Sequence, residues 1–359
     1  MATGSTGLLT LRGALGATEG AATTPTRILY IGGPENIDLS GIQQFDTVED
    51  RVAWAKRDGL RTVYNGIENN TVRFNNVPAS FEDFGFILST VVGIASDSTG
   101  LGANTPTTTD TSAYTRLFKP SQTATAYGST GGYDLHLQVA YNDLLSTVGW
   151  SIPGLRCTDL SVTFRKRVSG TDHGITWSGT FQTPKTCTQI TALTGSLSDR
   201  TQTIASGLNN KAYVESAYNA SISTTDPEIM EATFHVQQDP SFHDGMDATA
   251  LHTSMHFPGQ WLSELTLTRK FSDTTELAAY KARTTRHVRL INEGAQVGAV
   301  SAKNTIQLDF VGKPMEHTHT EVDRMLYASI RYEGIYDSTL LSSWAINTIN
   351  GVSTAFTSV

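Results

Sequence analysis

The chain reads as a mainly β protein with two short helices, arranged as two similar units in tandem. Three observations predict this. Short runs of alternating apolar and polar residues recur along its length, which is the period of a half-buried strand. Only two segments combine a capping residue with helical apolar spacing. The order strand, capped helix, alternating hairpin also occurs twice, over 71–74, 80–92 and 160–181 and again over 262–268, 273–281 and 306–336. The repeat is one of pattern, not of residue identity. It points to a module that builds rings, not to an enzyme with one cleft.

The bulk composition agrees. The 359 residues are enough for two ordinary domains with their own cores. Charged residues make up 17%, below the roughly 25% usual in soluble domains. A surface with few charges and many hydroxyls suits β-structure and large subunit contacts. The formal net charge of −8 argues against a basic nucleic-acid-binding patch. It leaves room for a wall past which a polyanion slides, because an acidic wall repels phosphate.

Cys157 and Cys187 flank the first hairpin, and two buried free thiols are favoured there over a disulfide. No stretch reaches the ~20 apolar residues of a membrane span. Residues 1–22 lack the basic start and apolar run of a signal peptide, so folding in a cytoplasm is expected. The acceptor patterns Asn69-Asn-Thr71 and Asn219-Ala-Ser221 carry no meaning there.

Along the chain, residues 1–24 are small and polar and read as an arm or first strand ordered by a partner. Thr26-Arg-Ile-Leu-Tyr-Ile31 is a strand stopped by Gly32-Gly-Pro34. Residues 46–60 read as a loop or short helix, and 61–64 and 72–74 as short strands split by Asn-rich turns. The first helix begins at Phe81, with Ser80 as N-cap and Glu82 and Asp83 in its first turn, and it ends at Gly93. Phe81, Phe84, Leu88 and Val91 or Val92 form its buried face.

Residues 96–132 are Ser/Thr/Gly-rich with a weak strand near 114–118, and they are long enough to reach a neighbour. Tyr133-Asp-Leu-His-Leu-Gln-Val139, Leu160-Ser-Val-Thr-Phe164 and Thr176-Trp-Ser-Gly-Thr-Phe181 alternate cleanly. The unit boundary is placed near 196–206, giving an arm over 1–24 and modules over 25–195 and 196–359. A strand over 229–236 precedes a long loop at 238–258. The second helix has Asp273 as N-cap and Glu276 three residues on, a capping box, with Leu277 and Tyr280 on its buried face. A strand at 285–290 and a hairpin over 306–310 and 325–332 lead to a tail from Asp337.

Chemistry-bearing clusters are weak. His317-Thr-His319 on a strand would place both imidazoles on one face, about 6.6 Å apart along the chain. A metal site with Glu316 or Glu321 competes there with a polar hairpin turn after Pro314. His243, His252 and His256, with Asp244 and Asp247, lie in a loop whose spacing fits no ligand set. His235 falls on the polar face of its strand. Asp134, Glu231 and Asp309 also fall on polar strand faces, either a solvated surface or the inner wall of a channel. Arg165, Lys166 and Arg167 make a basic tip, a solvated turn or a contact for an acidic patch on a next subunit. No phosphate-binding loop, dinucleotide fingerprint, nucleophile elbow or zinc-protease helix motif occurs. No catalytic residue, cofactor or metal is therefore assigned.

In element order the chain resembles the major tail tube proteins of long, non-contractile-tailed (siphovirus-type) bacteriophages. The opening Glu19-Gly-Ala-Ala-Thr-Thr-Pro-Thr-Arg27 and Phe81-Glu-Asp-Phe84 before an apolar helix carry part of the likeness. So do Glu264-Leu-Thr-Leu-Thr-Arg269, Ala279-Tyr-Lys-Ala-Arg-Thr-Thr-Arg-His-Val-Arg-Leu290 and Arg331-Tyr-Glu-Gly-Ile-Tyr-Asp337 with Ile346-Asn-Thr-Ile-Asn350. The resemblance implies tandem β-sandwich modules whose inner sheets join into a ring-wide β-barrel around a channel.

It further implies a structural virion protein, not an enzyme, that assembles in the host cytoplasm into stacked rings of the phage tail. Its partners would be further copies of itself, a tape measure protein and tail terminator or tip proteins, with DNA passing unbound. Trimeric pseudo-sixfold rings and hexamers both fit, and the internal repeat favours the trimer. Candidate lumen-facing residues are Asp134, His136, Gln138, Gln307 and Asp309. Two other classes stay open: a capsid decoration or receptor-binding component, and a β-sandwich glycan-active enzyme or glycan-binding module stacking sugars on Trp54, Trp150, Trp177 or Trp261.

Overall fold

The computed structural model describes residues 8–16, 23–50, 62–92, 105–107, 110–120, 133–143, 146–166, 173–194, 197, 201–222, 224–239, 241–243, 254–256, 261–272, 274–297, 302–322 and 324–352. The first half contains β1 (Leu8–Gly16), β2 (Arg27–Ile28), β3 (Ile37–Asp50), β4 (Thr62–Pro78), α1 (Phe84–Val91), β5 (Thr105–Thr107), β6 (Asp110–Phe118), β7 (Asp134–Asp143), β8 (Ser146–Arg165), β9 (Ile175–Thr183) and β10 (Thr188–Ile190). The second contains β11 (Asn210–Glu215), β12 (Ile229–Gln237), β13 (Ser241–His243), β14 (Ser254–His256), β15 (Leu262–Lys270), α2 (Thr275–Ala282), β16 (Arg286–Gln296), β17 (Lys303–Val322), β18 (Met325–Gly334) and β19 (Trp344–Asn350). The protein is mainly β, with two α-helices and a large antiparallel sheet, and its described strands close no barrel.

Two 20-residue strands organise this sheet. The first half of β8 pairs with β7 and β10, and its second half with β9 and β12. The first half of β17 pairs with β16 and β19, and its second half with β18. Each strand changes company at a bulge, between Cys157 and Asp159 in β8 and between Pro314 and Glu316 in β17. An inserted residue bends a strand and sharpens its twist, which lets one strand serve two layers.

One set of pairings occurs twice. β1–β7, β3–β4, β4–β9, β7–β8, β8–β9 and β8–β10 have counterparts in β11–β16, β12–β15, β15–β18, β16–β17, β17–β18 and β17–β19. The two sets meet where β8 pairs antiparallel with β12, from Asp159↔Gln237 to Arg165↔Glu231. The run β3-β4-β9-β8-β12-β15-β18-β17 is thus one continuous antiparallel sheet across both halves.

Alternation decides which face of this sheet is buried. Ile175, Trp177 and Phe181, Leu160, Val162 and Phe164, Phe234 and Val236, and Leu265 and Leu267 all point inward into one core. Phe74 packs on Trp177 at 5.2 Å and Phe234 on Trp344 at 5.3 Å between ring centroids, separations typical of favourable aromatic pairs. α1 lies inside this core. Every one of its residues is buried, as expected of a helix apolar all round.

Several sequence expectations change. The helix starts at Phe84 with Asp83 as its N-cap, while Ser80 Oγ accepts the Asp83 amide at 3.1 Å in the preceding turn. The two short strands expected over 61–74 are one strand, β4, because register irregularities against β3 and β9 absorb the Asn-rich positions. Residues 8–16 are not an arm awaiting a partner. They pair with β7 along their whole length and bury Leu11 and Leu15. The segment after α1 does reach a neighbour, but within the chain: β6 extends the second half's sheet by pairing with β19.

The N-cap of α2 is Thr274, and Glu276 turns into the sheet. It accepts the Tyr332 hydroxyl at 2.8 Å and pairs with Arg286 at 3.2 Å. Glu276 and Ala279 are the buried positions of α2, and Leu277 and Tyr280 are half-buried. Asp273 lies outside the described residues. Within 196–206, read as the boundary, Thr203 and Ala205 are stitched to the first half by Phe81 N–H to Thr203 O at 3.0 Å and Gly174 N–H to Ala205 O at 2.7 Å.

Candidate functional site

The polar face of the eight-strand run from β3 to β17 crosses the junction of the two halves without a break in pairing. Strand alternation places Thr71, Arg73, Thr176, Ser178, Thr180, Ser161 and Thr163 on its first half. The same alternation places Glu231, Thr233, His235, Thr266, Thr268, Ser329 and Arg331 on its second. Hydroxyls dominate, Arg73 is exposed opposite Asp38 in register, and the charged groups of the second half hold one another. Arg331 donates to Glu264 at 2.6 Å and to Glu316 at 3.4 Å.

At the junction of the halves, Arg165 pairs with Glu231 at 2.9 Å, His235 with Asp159 at 3.1 Å, and the Thr163 and Thr233 hydroxyls meet at 3.1 Å. The hydrogen bond to Asp159 raises the His235 imidazole above its ordinary range despite partial burial. Such a face offers few free cations to a phosphate backbone. The basic tip of the sequence reading therefore uses Arg165 inside the chain, and Arg167 lies outside the described residues.

The five sequence candidates sit elsewhere. Asp134, His136 and Gln138 lie on β7, where all seven positions of 134–140 are buried. Both faces of β7 are covered, so alternation there does not separate core from solvent. His136 Nδ1 donates to the Thr23 carbonyl and its Nε2 accepts from Ser151 Oγ at 2.8 Å. Burial holds this imidazole below its ordinary range. Gln138 is bonded to Thr194 through both ends of its amide, at 2.9 and 3.0 Å. Asp134 stands 3.9 Å from Arg156.

Asp309, on the first half of β17, is buried and accepts from Arg289 at 2.6 Å, His287 at 2.9 Å and Gln307 at 2.7 Å. Gln307 is half-buried. In the single chain these five groups serve internal pairing. The polar face of the eight-strand run was missed because sequence alone does not say which alternating strands are neighbours. The clean alternation of β8, β9 and β12 was the signal that could have found it.

The remaining clusters resolve simply. Cys157 and Cys187 are buried free thiols. Of the glycan-stacking candidates, Trp177 is in the core and Trp150 and Trp261 are half-buried against it, while Trp54 lies outside the described residues. His243 and His256 fall on the short pair β13–β14, whose side chains, like all of His252, lie outside the described residues. Among the described residues no group of three or more metal-binding side chains occurs, and no helix is long and apolar enough to cross a membrane. No protein-family model and no curated protein matches the chain.

Proposed function

We propose that this chain is a structural virion protein, a tail tube subunit of a long-tailed phage, whose copies join into rings that stack as a hollow conduit for DNA. One observation carries the reading: a pairing scheme that occurs twice and is joined, half to half, through β8 and β12. The counterpart of β12 is β3, and the counterpart of the second half of β8 is the second half of β17. These are the two ends of the eight-strand run. A chain whose ends repeat its own internal junction can add further copies by the same pairing. Ring closure then removes the exposed strand edges that otherwise invite aggregation. Three such chains would present six units, a trimer with pseudo-sixfold symmetry.

The polar face would line the channel. Its hydroxyls and internally paired charges, with the net charge of −8, give DNA no basic track to adhere to. The protein is read as a passive wall, not an enzyme. Stacking contacts, a tape measure protein and tail-end proteins complete the assembly in the virion.

Negative-stain electron microscopy of the purified chain, with mass by light scattering, tests this. Hollow tubes or stacked rings are expected, with a ring mass of three chains. A ring of six chains would revise the symmetry. A chain that stays monomeric at every concentration, with tail-tip proteins added, would remove the reading.

A further inference from the structure

The two long strands end alike but keep different company. The second half of β8 has β9 on one side and β12 on the other. Over 312–322, β17 has β18 on one side and, among the described residues, no strand on the other beyond Gly312. The shared bulge aligns them: Asp159 with Glu316, Leu160 with His317, Ser161 with Thr318 and Val162 with His319. Leu160 and Val162 are each 1% exposed at the internal junction. At the same two places, the open edge carries imidazoles.

These imidazoles form a pair, with ring centroids 4.7 Å apart and planes at 62°. Phe271 packs edge-on against His319 at 4.8 Å, and Tyr280 of α2 lies 6.0 Å from His317. Both ring nitrogens of His317 are buried without a hydrogen-bond partner. A buried polar atom left unpaired is costly, and a buried charge more so.

We infer that His317 and His319 form the joint between copies of this chain, where β3 of a second copy pairs with 312–322 and closes over both imidazoles in their neutral form, so that association depends on pH. The inference rests on the tail tube reading above. β3 is the fitting occupant because it is the counterpart of β12, it pairs along one edge with β4, and Leu39 and Ile42 on it are partly buried against the core.

The charged groups around the pair do not supply a counter-ion. Glu276 of α2 is already held by Tyr332 and Arg286. Arg269 of β15 and Arg283 of α2 are cations, the latter donating to the Pro314 carbonyl at 3.2 Å. On β17 itself Glu316 faces the opposite side and accepts from Arg331, and Glu321 is exposed beyond the pair. On β3, Asp38 stands opposite Arg73 on the polar face. Burial and the neighbouring His319 already hold the His317 imidazole below its ordinary range.

The sign follows from linkage. A group whose bound-state pKa is depressed supports association above its free-chain value and withdraws that support as pH falls through it, and for His317 that value already lies below the ordinary imidazole range. Each proton taken up on separation weakens association by about tenfold per pH unit, so two give about a hundredfold.

The test is sedimentation velocity and microscopy of the full chain at about pH 7.5 and about pH 5.5, for wild type and for H317L/H319V, which installs the residues of the internal junction. Circular dichroism checks that the variant is folded. Wild type should assemble at the higher pH and separate reversibly at the lower, and H317L/H319V should assemble at both. Wild-type assembly that is equal at the two pH values would overturn the joint. So would a pH dependence that H317L/H319V retains, or loss of assembly by a folded H317L/H319V chain. If no chain assembles at either pH, with tail-tip proteins added as well, the tail tube reading itself fails and takes the joint with it.

Discussion

His287 donates its Nε2–H to Asp309 at 2.9 Å while its Nδ1 accepts the Asn219 amide at 3.2 Å. The backbone donor fixes the tautomer, since Nδ1 must be unprotonated to accept. The pair thereby ties the loop before β12 to the β16–β17 ladder. Asp309 is the pivot, because Arg289 shares the same carboxylate oxygen.

Asp309→Asn should destabilise the chain by about 3 kcal/mol near neutral pH, because it leaves Arg289 buried without its counter-charge. Burial pushes the Asp309 carboxyl up, but the hydrogen bonds from His287 and Arg289 outweigh it and hold the group below the usual range. A depressed carboxylate supports folding above its unfolded value and loses that support as pH falls. The gap between wild type and variant in urea unfolding should therefore narrow below about pH 4. A gap constant with pH would contradict the assignment.

Arg116 is fully buried on β6 and donates to Asn350 at 3.0 Å, and Asn350 donates in turn to the Phe81 carbonyl at 2.6 Å. This bracket spans the two halves. Arg116→Ala and Asn350→Ala should each cost about 2–3 kcal/mol. The double variant should fall short of their sum by about 1 kcal/mol or more, as coupled neighbours do. Strict additivity in denaturant melts would mean the bracket is not one unit.

Gly294 faces Phe81 so closely that a Cβ there would lie 2.8 Å from the ring. Phe81 is 1% exposed and has no room to swing. Gly294→Ala should cost about 1–3 kcal/mol by overpacking. Gly33→Ala meets only the end of the flexible Glu35 side chain and should be nearly neutral. Thermal melts of the two variants give the comparison.

Asp159→Asn should lower the His235 imidazole pKa, read by NMR titration, because the hydrogen bond to Asp159 is what raises it. A raised imidazole supports the fold below its unfolded pKa and loses that support as pH rises through the folded value. The effect on stability should stay under about 1 kcal/mol, since both side chains are more than a third exposed.

Burial pushes the Cys157 thiol far above its ordinary range, and Cys187 is equally enclosed. Neither thiol should react with an aromatic disulfide reagent at about pH 8 in the folded chain, and both should react at once in denaturant. Rapid labelling of native protein would show that the hairpin opens.

Some of this was legible locally. The alternation of Leu160-Ser-Val-Thr-Phe164 and of 176–181 names their buried residues correctly, because a strand with one covered face writes its period into the sequence. The same rule misled at β7, where partners from distant segments cover both faces and satisfy Asp134, His136 and Gln138 internally. Glu276 misled in the same way: a carboxylate one turn into a helix reads as a cap until Tyr332 and Arg286 are known to lie beside it.

By itself the sequence determined the strand periods, two helices, the buried thiols and a pattern stated twice, since each depends on neighbours a few residues apart. Only the tertiary structure decided that β8 meets β12, that β6 crosses to β19, and that the polar residues of β7 face inward. Those choices are set by which edges and faces find partners far along the chain, 66 residues away where Arg165 meets Glu231, and local alternation carries no label for its partner.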